Sequence, residues 1–204
     1  MQHWLHLTLQ QIQETSFWEW VAVLFGIAEV VLAMMNKVWL YPAGIISTAI
    51  TIYYLLAAQL YADSLLNLYY VVMSLYGWFY WVRKGNRPQV NITYSNRQDW
   101  IITLAISIGG WAVLYILLKA FTPSTVPVWD SLVSSTAWAG TWLLTRRKME
   151  NWIVLNTSNI FAIPLLFYKQ LPMFALLTLV LFIIAFFGYY DWRKIYRQQV
   201  TATN

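Results

Sequence analysis

The chain has no cysteine, and its only two histidines, His3 and His6, sit together at the amino end. Without thiols there is no disulfide framework and no thiolate metal site. With no interior histidine, and no paired acids inside one apolar run, hydrolytic metal or nucleophile chemistry lacks its parts, and no cofactor is expected. Charge is scarce as well. Charged residues are 10% of the 204, against about 25% in ordinary soluble domains. A chain that is 60% hydrophobic, with a mean hydropathy of +0.52, needs lipid to cover its surface. Residues 1–16 lack a basic leader and turn polar at Gln10-Gln11, so they are expected to form an extracytoplasmic interfacial segment, not a signal peptide.

What is present is a pattern written twice. Two blocks open on Trp18-Glu19 and on Trp129-Asp130, and close on Trp81 with Arg83-Lys84 and on Trp192 with Arg193-Lys194. Gln59-Leu60 recurs as Gln170-Leu171. The offset between the tryptophans, acids and Gln-Leu pairs is 111 (110 for the basic pairs), whereas pairing Trp39 with Trp152 in the middle demands 113 and hence a small insertion. Internal repeats in an apolar chain are a transporter signature, because alternating access moves one repeat against the other.

A membrane span takes about 20 mainly apolar residues. Seven runs qualify: Phe17–Met35, Val38–Ala58, Tyr61–Val82, Trp100–Phe121, Val128–Leu144, Asn151–Tyr168 and Leu171–Trp192. The expected architecture is an all-α integral membrane protein. Residues 17–82 form one three-helix repeat, 83–98 a cytoplasmic loop, 99–121 a connecting helix, 128–192 the second repeat, and 193–204 a cytoplasmic tail. Two three-helix blocks joined directly would face opposite ways. The extra helix restores the orientation, so this 3+1+3 plan predicts parallel repeats with a site near the midplane between them.

Between the spans, 11 basic residues fall on one side (Lys37; Arg83 to Arg97; Arg146 to Lys148; Arg193 to Arg197) and two, Lys119 and Lys169, on the other. The positive-inside rule then puts the amino terminus outside and the carboxyl terminus in the cytoplasm. The same charges explain the pI of 9.4 by contact with anionic lipid, with no nucleic-acid partner.

Polar side chains at membrane depth are costly and face a bundle interior or a cavity. In the sixth run Trp152, Asn156 and Asn159 share a helical face, offering one aromatic surface and two amides to a planar heterocycle. The same amides can instead tie helices together. Asn67, Tyr70 and Ser74 share a face of the third run, Trp138 lies among hydroxyls in the fifth, and Ser47 belongs to the second. Glu29 is the one acid well inside a run. It is placed to balance a cationic substrate, to carry a proton, or to sit neutral within the bundle. Of 13 tryptophans, Trp20, Trp39, Trp81, Trp100, Trp129 and Trp192 lie near run ends and are expected in the interfacial belt. The seventh run has no lysine between Lys169 and Lys194, which removes a retinal protein, and a purely structural subunit predicts no saturable ligand.

The stretches Tyr61-Ala62-Asp63, Asn67-Leu68-Tyr69-Tyr70, Ser74-Leu75-Tyr76-Gly77-Trp78, Trp129-Asp130-Ser131, Glu150-Asn151-Trp152 and Gly188-Tyr189-Tyr190-Asp191-Trp192 resemble the PnuC family of bacterial vitamin transporters. The resemblance implies a bundle like the sugar transporters called SWEETs, a homotrimer in the inner membrane, and facilitated diffusion with the vitamin trapped by cytoplasmic phosphorylation. Riboside carriers of the family show Trp-x-x-Trp in the sixth helix. Here the motif reads Trp152-Ile153-Val154-Leu155, with polar Asn156 and Thr157 following. The lost indole and gained amides imply a small cationic vitamin of altered kind, thiamine, with nicotinamide riboside as the alternative.

Overall fold

A computed structural model describes residues 2–57, 60–82, 91–122 and 124–203. All of the regular structure in them is helical. The helices are α1 (Gln2–Glu14), α2 (Phe17–Met34), α3 (Leu40–Ala57), α4 (Tyr61–Val82), α5 (Arg97–Phe121), α6 (Pro127–Thr145), α7 (Asn151–Tyr168) and α8 (Pro172–Thr203). Gln59 and the basic residues Arg83, Lys84 and Arg87 lie outside the described residues. The first segment is a helix, α1, docked on α8, and α8 runs well past Trp192 through the expected tail.

Four of the helices are long and apolar enough to cross a membrane by themselves: α2, α3, α5 and α8. Short of that measure are α4, α6 and α7. They carry most of the buried polar residues within the helices: Ser64 and Ser74 in α4, Ser131 and Ser135 in α6, Asn156 and Ser158 in α7. Such helices depend on their neighbours to cover those groups.

Packing is sequential and closes on itself. Each of α2, α3 and α4 packs on the next, α4 meets α6, α6 to α8 repeat the sequence, and α8 returns to α2. The result is a ring of six helices, with α5 packed mainly against the outside of α6.

Several contacts of the two halves of the ring recur at a constant offset of 111. Ser47 donates its hydroxyl proton to the Ala22 carbonyl at 2.8 Å, and Ser158, its counterpart in the second half, donates to Val133 at 2.8 Å. The turn after α2 is closed by Asn36 at φ 53°, and the turn after α6 by Arg147 at φ 53°. Around them the Lys37 amide donates to the Leu32 carbonyl and the Lys148 amide to Leu143, both at 2.9 Å. This is a left-handed cap satisfying the last helix carbonyls. Large rings also find matching gaps. A Cβ on Gly77 would come within 2.6 Å of the Tyr41 hydroxyl oxygen, and one on Gly188 within 2.6 Å of the Trp152 ring. Tyr41, not Trp39, is thus the counterpart of Trp152, and the offset stays 111 with no insertion. Trp39 is 67% exposed, whereas Tyr41 is 1% exposed.

Since each serine ties one helix to its neighbour's backbone, Ser47→Ala and Ser158→Ala should each cost about 1 kcal/mol. The two share no partner, so the double variant should be additive within about 0.5 kcal/mol in denaturant titrations.

Candidate functional site

At one end the ring is plugged. Trp81 and Trp192 are not in the interfacial belt; they are 7% and 0% exposed. Tyr41 stands edge-on to Trp81 with centroids 5.2 Å apart, and Trp152 stands edge-on to Trp192 at 5.6 Å. Both closing indoles bond across the halves: Trp81 Nε1 donates to the Thr145 carbonyl at 3.0 Å, and Trp192 Nε1 to the Ala33 carbonyl at 2.8 Å. The buried Arg147 guanidinium lies 3.8 Å from the Trp81 ring centroid. Burial pushes its pKa down to about 10, so it stays charged at neutral pH. Beside the plug, the Asp99–Lys148 ion pair at 2.9 Å and the Glu150 carboxylate, which accepts from Ser95, tie the start of α5 to the α6–α7 turn.

The other end opens. A cavity of about 730 Å³ runs between α2, α3 and α8, with Gln11, Glu14 and Thr15 at its mouth, where α1 ends. Gln11 holds α1 in place by donating to the Gln170 carbonyl at 2.8 Å. Glu14, Glu19 and Glu29 all line this cavity, and among the described residues no Lys, Arg or His does. Glu14 accepts from Gln10, and Glu19 completes a capping box with Ser16. Among the described residues no hydrogen bond or ion pair engages the Glu29 carboxylate; it rests against Gly44 of α3. From Glu19 to Glu29 the helix rises about 15 Å, which is half the thickness of a bilayer's hydrocarbon core. Ser47, Thr51 and Tyr54 supply hydroxyls to the wall, and aliphatic side chains most of the rest.

The second half carries a smaller counterpart of about 270 Å³, in which Asp130, Val133, Ser134, Ala162, Leu165 and Leu166 replace Glu19, Ala22, Val23, Thr51, Tyr54 and Leu55. Its one acid is neutralised, since Asp130 pairs with Lys169 at 2.6 Å. One cavity is therefore acidic and the other is not.

Of the residues singled out in the sequence, Glu29 and Ser47 meet in the large cavity. Tyr70 lies within electrostatic reach of Glu29 without lining that space. Trp152 is buried in the plug. Asn156 donates to the Phe182 carbonyl of α8 at 3.2 Å, and Asn159 donates to Asn156 Oδ1 at 3.2 Å, so this amide pair links α7 to α8. Trp138 stacks on Tyr69 at 4.5 Å, where α4 meets α6. Asn67 lies on α4 and does not line the cavity. Glu14 and Glu19 are not among the candidate contacts read from the sequence. Their signal was available, because three of only eight acids lie between Glu14 and Glu29.

Comparison with known proteins agrees with this architecture. Residues 16–194 match the nicotinamide mononucleotide transporter family. Proteins named nicotinamide riboside transporter PnuC, from Escherichia coli and Shigella flexneri, are 22% identical over 91% of this chain and 89% of theirs. A crystal structure of the vitamin B3 transporter PnuC superposes with a TM-score of 0.71 at 23% identity, covering 96% of this chain and 90% of that one. The chain belongs to the nicotinamide mononucleotide transporter family and is a multi-pass membrane transporter of the PnuC type, not an enzyme.

Proposed function

We propose that the chain carries a small cationic vitamin, nicotinamide riboside, across the bacterial inner membrane by facilitated diffusion. The observation that carries this reading is the Glu29 carboxylate deep in a cavity lined by two further acids, with no partner for it and no base in the lining among the described residues. A buried carboxylate without a partner is costly, and a cation entering the cavity would supply one. Acids at the mouth also raise the local concentration of cations. The names carried by the relatives favour the riboside. Neither they nor the geometry adds support for thiamine, the substrate expected from Leu155, or for trapping by phosphorylation. Glu29, Ser47 and Tyr54 are the proposed contacts, with Tyr70 close to the acid. Trp152, Asn156, Asn159, Asn67 and Trp138 remain candidates for a state in which the plug has opened.

The 3+1+3 plan of seven spans belongs to this proposal too. Around the ring the order α2, α3, α4 is followed by α6, α7, α8 in the same sense. That order supports parallel repeats about an axis along the membrane normal, since an inverted pair would run in the opposite sense. The cavity mouth then faces outward and the tryptophan plug faces the cytoplasm. The homotrimer rests on family resemblance, and light scattering should give three times the 23.9 kDa of one chain.

Calorimetric titration of the purified protein with nicotinamide riboside, thiamine and riboflavin tests the substrate. Saturable binding of the riboside is expected. Saturable thiamine binding without the riboside would overturn the assignment.

A further inference from the structure

The offset of 111 maps Glu29 onto Gly140 and Gly44 onto Leu155. Both pairs are in contact, with large and small partners exchanged. In the first half the acid of α2 lies on the glycine of α3, where a Cβ would come within 2.5 Å of the carboxyl carbon. In the second half the glycine is on α6, and a Cβ there would come within 2.6 Å of Leu155 Cγ. The same helix crossing is thus filled by a carboxylate once and by an isobutyl group once.

We infer that the Glu29–Gly44 contact is the chain's specificity determinant, selecting a positively charged ring over an uncharged ring of the same shape. Gly44 is a positioning residue. Its missing side chain leaves on α3 the space that the carboxylate occupies, at the wall of the cavity that Ser47 also lines, instead of driving it aside. The reciprocal Gly140–Leu155 contact leaves the second half without an acid at this depth, so each chain has one cation subsite. It also shows that the fold accepts a glycine on the first helix of a repeat facing a leucine on the second. The inference rests on the proposed transport of a cationic vitamin and names the residues that read its charge.

The test compares two probes of nearly equal shape, nicotinamide riboside and its uncharged dihydropyridine form, by titration of the purified full-length chain. The wild type is expected to prefer the cation by about tenfold or more. Glu29→Gln and Gly44→Ala should each remove most of that preference by weakening the cation alone, with dihydropyridine affinity changed less than about twofold. The double variant Glu29→Gly/Gly44→Leu copies the contact of the second half. It should melt at the wild-type temperature and bind both probes equally. Wild-type preference for the cation that survives in Glu29→Gln and Gly44→Ala would overturn this inference and leave the riboside assignment standing. Failure of the wild type to bind either probe would overturn both.

Discussion

Trp192→Ala is expected to destabilise the protein by about 3–5 kcal/mol, the largest stability loss of any single substitution proposed for this chain. The indole is wholly buried, and its removal would leave a cavity beside Trp152 and Trp81 that rigid helices cannot collapse to fill. It would also remove the indole hydrogen bond to the Ala33 carbonyl, which keeps only the Asn36 amide, at the point where α8 returns to α2. Trp192→Phe separates the two contributions. It keeps most of the ring but loses Nε1, and should cost less than the alanine, by about the share that packing contributes. Trp39→Ala is the control, because that indole is 67% exposed and should change stability by less than about 0.5 kcal/mol. Thermal unfolding in detergent ranks the three. Equal losses for Trp39 and Trp192 would mean that the plug is not a cohesive element.

Glu29→Lys is expected to abolish measurable riboside binding, a loss of at least about a hundredfold, or about 2.7 kcal/mol. In the proposed site the substrate's positive charge would sit beside one carboxylate at bilayer depth, where a unit charge pair at 4 Å is worth about 4 kcal/mol even at an effective dielectric of 20. Reversal turns that attraction into a repulsion of similar size. The neutral Glu29→Gln variant should fall between the two. Gly140→Ala probes the corresponding crossing of the other half. It should lower stability by about 1–3 kcal/mol through overpacking against Leu155 while leaving the cation preference intact. Riboside affinity of Glu29→Lys within tenfold of the wild type would show that the cation is held elsewhere.

Much of the fold could be read in the amino-acid order because the repeat carries through rare residues. The closing tryptophans, Trp81 and Trp192, are buried where only a few side chains serve. Pairing Trp39 with Trp152 misled because it matched identity in place of environment. The structure keeps a large ring against a glycine at both crossings, Tyr41 on Gly77 and Trp152 on Gly188, and lets its chemistry differ. The constant spacing of Ser47 and Ser158, and of Gly77 and Gly188, contained the correct register. Arg147 at positive φ had no sequence signal, since that conformation is rare for arginine and is imposed by the turn. Polarity on α7 was visible, but its division between lining a cavity and bonding a neighbouring backbone depends on where α8 lies. Glu29 was legible from its isolation in an apolar run. The neutrality of its counterpart cavity was not, because it depends on Lys169 reaching Asp130 across the fold.

The most direct test of the central claim is initial-rate uptake of labelled nicotinamide riboside into vesicles reconstituted with the protein. Saturable uptake above the protein-free control is expected, unchanged by a protonophore and lost in Glu29→Lys. Uptake equal to the control would contradict transport of this substrate. Collapse of uptake on adding the protonophore would contradict facilitated diffusion and make Glu29 a proton carrier.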